Sequence, residues 1–133
     1  MSALPFWSCA PTISAFSLIA YEQATSLKVD ALALMDKATG SYGDHEQDVA
    51  MLNLRLAKAY EFAKGRVKNE ISAHQWEILL DPNRNLFGGF LTRWKDKSTL
   101  SPTFIRDAKG LVADAFDTII GLEGGKLKPE QVK

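Results

Sequence analysis

The sequence carries a single cysteine, Cys9, two histidines, His45 and His74, and no excess of either charge, with 16 basic residues against 16 acidic ones. One cysteine excludes an intramolecular disulfide and accords with a reducing compartment or with indifference to redox. Balanced charge gives no support to the net basic face with which nucleic-acid binders neutralise phosphates, so no nucleic-acid partner is expected. No apolar run approaches the roughly 20 residues that span a bilayer. Met1 to Ser8 are apolar but include no Lys or Arg, and the stretch is too short for a complete secretory signal. Internal repeats, low-complexity tracts and alternating strands bounded by hairpin turns are also missing.

What is present describes a folded chain. The apolar fraction of 46% and the charged fraction of 24% are globular values. A chain of 133 residues fits one domain, and such a domain buries roughly two-thirds of the surface its unfolded form exposes. That suffices for a core without disulfides or a structural metal.

Helical spacing and capping residues divide the chain. Pro5 and Pro11 predict an extended N-terminal arm over residues 1–13, because proline restricts the residue before it to extended backbone. A first helix, capped by Thr12 or Ser14, is expected to run to Ala38 with the stripe Phe16, Ile19, Ala20, Ala24, Leu27, Ala31, Leu34 and Met35. Thr39 to Gly43 forms the turn. A second helix starts near Asp44, where Asp44, Glu46 and Asp48 suit the positive end of the helix dipole. Its stripe is Val49, Leu52, Leu56, Ala59, Tyr60 and Ala63, and Gly65 is its terminator.

A shorter helix is predicted from Ser72 to Leu80, with Ser72 and Gln75 at capping-box spacing. Asp81-Pro82-Asn83-Arg84-Asn85 is a turn signal, and Leu86, Phe90, Leu91 and Trp94 mark another helical stretch loosened by Gly88-Gly89. The last helix has Ser101 as N-cap and Pro102 at the first helical position. Its stripe is Phe104, Ala108, Leu111, Ala115, Ile119 and Leu122, widened by Ile105, Val112, Phe116 and Ile120. The predicted class is all-α: a compact antiparallel bundle of about four helices over residues 14–123, with a mobile polar tail over residues 124–133.

Candidate sites are few. His45 and His74 fall on different predicted helices, without the convergent His or Cys partners a zinc site requires, and are read as surface residues. Asp114 with Asp117, and Glu46 with Asp48, are carboxylate pairs suited to acid–base work, but they lie where solvated charges belong. Gly88-Gly89 lacks the spacing and the following Lys of a phosphate loop; a tight turn or close helix crossing explains it better. Arg93-Trp94-Lys95-Asp96-Lys97 joins an aromatic to three basic residues and could touch a membrane surface or an acidic partner, with Trp94 better placed as core. Tyr21, Tyr60 and Asn53 are the candidates for lining an internal ligand cavity. Trp76, Phe87 and Trp94 are the candidates for a partner-docking face, or else core. No nucleophile with its companions is visible, so no catalytic residue, metal or cofactor is assigned.

Cys9 stands apart. In Leu4-Pro5-Phe6-Trp7-Ser8-Cys9-Ala10-Pro11 a cysteine follows an apolar run with a small residue directly before it. Bacterial lipoprotein signals end in this order, and the cysteine receives the lipid. Phe6 and Trp7 are bulkier than usual there, and the charged start is missing. The alternative is an ordinary free thiol, which packs as a small hydrophobe.

Four stretches resemble a group of small, uncharacterised proteobacterial lipoproteins of helical build. They are Cys9 to Ile13, Thr25 to Ala38, Gln75 to Lys95 and Leu100 to Glu123, so the resemblance runs along nearly the whole chain from Cys9. It implies a lipid-anchored domain in the bacterial periplasm, and brings no activity, substrate or catalytic residue. The leading expectation is a non-enzymatic envelope domain acting on an unknown protein partner through a helical surface, with Cys9 as anchor. The alternatives are a cytosolic adaptor or inhibitor of immunity or phage type, with a free Cys9, and a small-ligand-binding bundle.

Overall fold

The computed structural model describes residues 17–132. Ser17 is extended (φ −122°, ψ 113°), and its hydroxyl accepts a hydrogen bond from the Ala20 amide, which starts α1 (Leu18–Met35). That bond satisfies one of the amides left open at any helix start. Thr12 and Ser14, the caps expected from sequence, lie outside the described residues, as do Phe16 and Cys9. The buried side of α1 is Ala20, Ala24, Leu27, Ala31, Leu34 and Met35. Ile19, predicted within that stripe, is 61% exposed.

The chain then tightens into 3-10 turns at Asp36–Thr39 and Tyr42–His45 before α2 (Glu46–Gly65). The first helix therefore ends short of its predicted limit at Ala38. Next comes α3 (Glu70–Leu80), which starts before the predicted Ser72. Ser72 is no cap: it is buried inside α3, and the Asn69 side-chain amide donates instead to the Ala63 carbonyl at the end of α2. The last two helices are α4 (Phe87–Lys97) and α5 (Pro102–Glu123). Ser101 caps α5 as its sequence predicts, accepting from the Phe104 amide.

Side-chain pairs show how the helices run. Asp30 with Arg55 (2.6 Å) and Lys37 with Asp48 (3.6 Å) set α1 antiparallel to α2. Lys28 with Asp117 (2.5 Å) and Asp36 with Lys109 (2.7 Å) set it antiparallel to α5. The Tyr60 hydroxyl donates to Glu77 across α2 and α3, while Trp76 meets Phe116 edge-on across α3 and α5. Thus α1, α2, α3 and α5 form a closed ring of antiparallel neighbours, an up-down-up-down bundle, and α4 is a fifth helix packed on it.

The role of α4 follows from length. With 11 residues α3 is about 16 Å long, whereas α5, with 22, is about 33 Å. α3 therefore covers only the C-terminal half of α5, and α4 closes the end left open by burying Phe87, Phe90, Leu91 and Trp94. The Trp94 indole N–H donates to the Gly40 carbonyl (2.9 Å), and its ring lies against Tyr42 and His45. Nearby, the Leu100 amide donates to Ala38 and the Tyr42 amide to Ser98.

Two expectations shift. The buried line of α5 is Ile105, Val112, Phe116, Ile119 and Glu123, rotated from the predicted stripe, and Leu111 is 54% exposed. α5 is apolar over a wide arc, and its contacts with α1 and α3 select the centre of it. The tail also folds back: the Lys126 and Leu127 amides both donate to the Gly121 carbonyl, and Pro129–Gln131 makes a 3-10 turn.

Gly88 and Gly89 let α4 press on the turn before it. A Cβ at Gly88 would lie 2.3 Å from the Leu80 carbonyl oxygen, and one at Gly89 would lie 1.7 Å from that of Arg84. Backbone cannot yield at such distances. Gly89→Ala should therefore lower stability by more than about 3 kcal/mol, whereas Gly110→Ala, with open space around its Cβ, should raise it by about 1 kcal/mol through helix propensity. Urea unfolding of the two variants measures both; a tolerated Gly89→Ala would contradict the close approach.

Candidate functional site

The aromatic residues considered for a docking face are core. Trp76 is 2% exposed, and Phe87 and Trp94 are 0%. A partner resting on the outside of the bundle would meet none of them, because α3 and α4 turn these rings inward against α5 and the 3-10 turns. The cavity candidates do not converge either. Asn53 is exposed, Tyr21 lies beside Gly124, and Tyr60 bonds to Glu77 at 2.9 Å. Desolvation and that bond to a carboxylate push the Tyr60 phenol above its ordinary value.

Several of the other polar candidates sit in surface ion pairs rather than in one site. Asp117 holds Lys28 and Asp48 holds Lys37, while His45 lies 4.0 Å from Asp48 and His74 lies 3.9 Å from Glu77. Among the described residues no three His, Cys, Asp or Glu side chains gather as a metal site would require.

One polar cluster was missed in the sequence. Glu123, in the last turn of α5, is 2% exposed. Its carboxylate accepts from the Ser72 hydroxyl and pairs with Arg66, so the ends of α2, α3 and α5 meet on it. Its only signal was position: Glu123 follows Phe116 and Ile119 at core spacing, where a charge requires a buried partner. A serine beside a carboxylate resembles part of a hydrolytic site, but Ser72 is 3% exposed. The cluster is a clasp that joins three helix ends.

An open groove of about 570 Å³ runs between the turn before α4, α4 itself and the first half of α5. Phe90 and Phe104 form its floor, their rings 10° from parallel with centroids 6.1 Å apart. The Arg93 guanidinium lies over Phe104, 4.5 Å from the ring centre, in a cation–π contact. Leu86, Ala108 and Leu111 extend the apolar lining. The rim carries Arg84, Asp96, Lys97 and Asp107, with Arg84 reaching Asp81 and Asp107 reaching Arg106. The basic stretch singled out in the sequence thus divides: Trp94 enters the core, while Arg93 and Lys97, one turn apart, face the groove.

This geometry defines a helical bundle with a surface groove between α4 and α5, apolar at its floor and charged at its rim. No protein-family model matches the chain, and no curated protein or solved structure matches it.

The clasp makes a sharp prediction. Removing one member of a buried ion pair leaves an uncompensated charge, whereas replacing both with apolar residues is often neutral. Arg66→Met should cost about 3 kcal/mol, and the double variant with Glu123→Leu should recover most of that loss. Denaturant unfolding of the full cycle tests it; simple additivity would show that the two side chains do not depend on each other.

Proposed function

We propose that this protein is a non-enzymatic interaction domain of the bacterial envelope, tethered through lipid on Cys9, which receives an apolar segment of a partner protein in the groove between α4 and α5. The observation that carries the reading is Arg93 stacked on Phe104 beside the exposed Leu111. A stacked guanidinium keeps its planar fork of N–H donors for a carboxylate, and the half-buried Phe104 with the exposed Leu111 offers area for an apolar side chain. The groove's volume falls within the range of ligand sites. Its complement is a segment that places an acidic residue beside a bulky apolar one.

A photo-reactive residue at position 111, introduced in the native host, should give one discrete adduct. Arg93→Glu should abolish that adduct while leaving the melting temperature nearly unchanged, and the same probe at exposed Glu61 should give none. Equal labelling from both positions, or an adduct indifferent to Arg93→Glu, would remove the groove from the account.

The envelope part stands on the order Ser8-Cys9-Ala10 after an apolar run and is tested separately. Intact mass of the native-host protein, expressed from its full gene, should show a membrane-bound species that begins at Cys9 and carries acyl chains. A soluble species that retains the residues before Cys9, without added mass, would refute the tether.

A further inference from the structure

Helix α2 is apolar on two sides. Val49, Leu52, Leu56, Ala59 and Ala63 line the core. On the solvent side Met51 (67% exposed), Leu54 (58%) and Phe62 recur at helical spacing, with Lys58 among them. A helix with only water beyond it carries polar residues there instead. The matching side of α1 exposes Ile19 and Val29, together with the small Ser26 and Ala33. Five of the nine large apolar residues exposed among the described ones therefore share the α1–α2 side, away from the groove between α4 and α5.

Charge on this side cancels within it. Two clefts run along the seam between α1 and α2, and their charged residues are Glu22, Asp30 and Asp48 against Lys37, Arg55 and Lys58. Asp30 holds Arg55, and Lys37 holds Asp48. That leaves Glu22 on α1 and Lys58 on α2, both exposed at one cleft and neither in an ion pair. A neutral face gives a strongly charged partner nothing to select. It suits a surface that repeats its own pattern, because α1 offers the free acid and the small residues, and α2 the free base and the large ones. A two-fold axis along the seam exchanges the two helices and so matches each to its complement.

We infer that a second copy of this chain docks on the α1–α2 side, giving a two-fold dimer. Asp30 stands level with Arg55, and Lys37 with Asp48, so the axis lays α1 of each copy on α2 of the other at those same levels. Met51 then comes near Ala33 of the second copy, Val29 near Leu54 of the second copy, and Ile19 near Phe62 of the second copy. Glu22 comes within reach of Lys58 of the second copy. The four helices alternate in direction, as in an antiparallel bundle. The face is about 27 Å long and about 20 Å across, two helix widths. Its ridged accessible surface is on the scale of the about 800 Å² that each partner gives to a stable interface. The dimer depends on neither the groove nor the tether proposed above.

The full chain carrying Cys9→Ser, in which no disulfide can join two copies, is sedimented over a range of micromolar concentrations. Its mass should be twice the chain's 14.7 kDa. Leu54→Glu should weaken association by about a hundredfold or more and leave the melting temperature nearly unchanged, because Leu54 is exposed. Glu22→Lys sets like charges together twice about the axis and should weaken association by about tenfold or more. Adding Lys58→Glu to it should restore the dimer, and Leu111→Glu in the groove should leave the mass as it was. A monomer at every concentration, a dimer untouched by Leu54→Glu, or a double charge reversal no tighter than the single one would overturn the inference. A monomer whose melting temperature falls with Leu54→Glu would overturn it in favour of the chain's own residues 1–16 as the cover of this face.

Discussion

Burial of one side of α1 against α2 and α5 at once is the contact on which the arrangement depends. Ala20, Ala24 and Ala31 keep that side narrow, and Leu27, Leu34 and Met35 supply its apolar bulk. Because α1 serves two neighbours, its polar flanks carry pairs to both: Asp30 to Arg55 on one side and Lys28 to Asp117 on the other. Such exposed pairs add little stability. Their value is in register, since a slip of one helix along another would part opposite charges while still burying apolar surface.

With α1, α2 and α5 in place, the short α3 leaves the fourth side of the bundle incomplete. One end is closed by a charge, through Glu123 with Ser72 and Arg66, and the other by an indole, through Trp94 on Gly40. The two closures give the molecule its polarity. The first binds helix ends together but leaves Val67 and Leu18 uncovered, whereas the second buries Phe87 and Trp94 fully. The groove arises from the same economy of helices, because α4 packs over the end of the bundle and meets α5 mainly through Phe90, Arg93 and Phe104.

Much of this could be read locally. The helical spacing of Val49, Leu52, Leu56, Ala59 and Ala63 places these residues in the core, where they are found. Ser101-Pro102 marks the start of α5 because both capping and proline tolerance are properties of a single turn. Gly88-Gly89 pointed to close packing. The errors share a different character. Ser72 has the chemistry of a cap, yet Glu123, 51 positions away, takes its hydroxyl. Trp76, Phe87 and Trp94 could be core or surface by composition, and only their neighbours decide.

The all-α class, the helix count to within one, the cap of α5 and the core face of α2 were determined by the sequence itself, because periodicity, capping and propensity act within a few turns of chain. Tertiary structure alone decided which part of α5's wide apolar arc is buried, that Glu123 is the clasp, that Arg93 lies on Phe104, and that Leu18 and Val67 share one end. Each of these joins residues far apart in the chain. Their meeting is set by the antiparallel packing of whole helices, which no local pattern encodes.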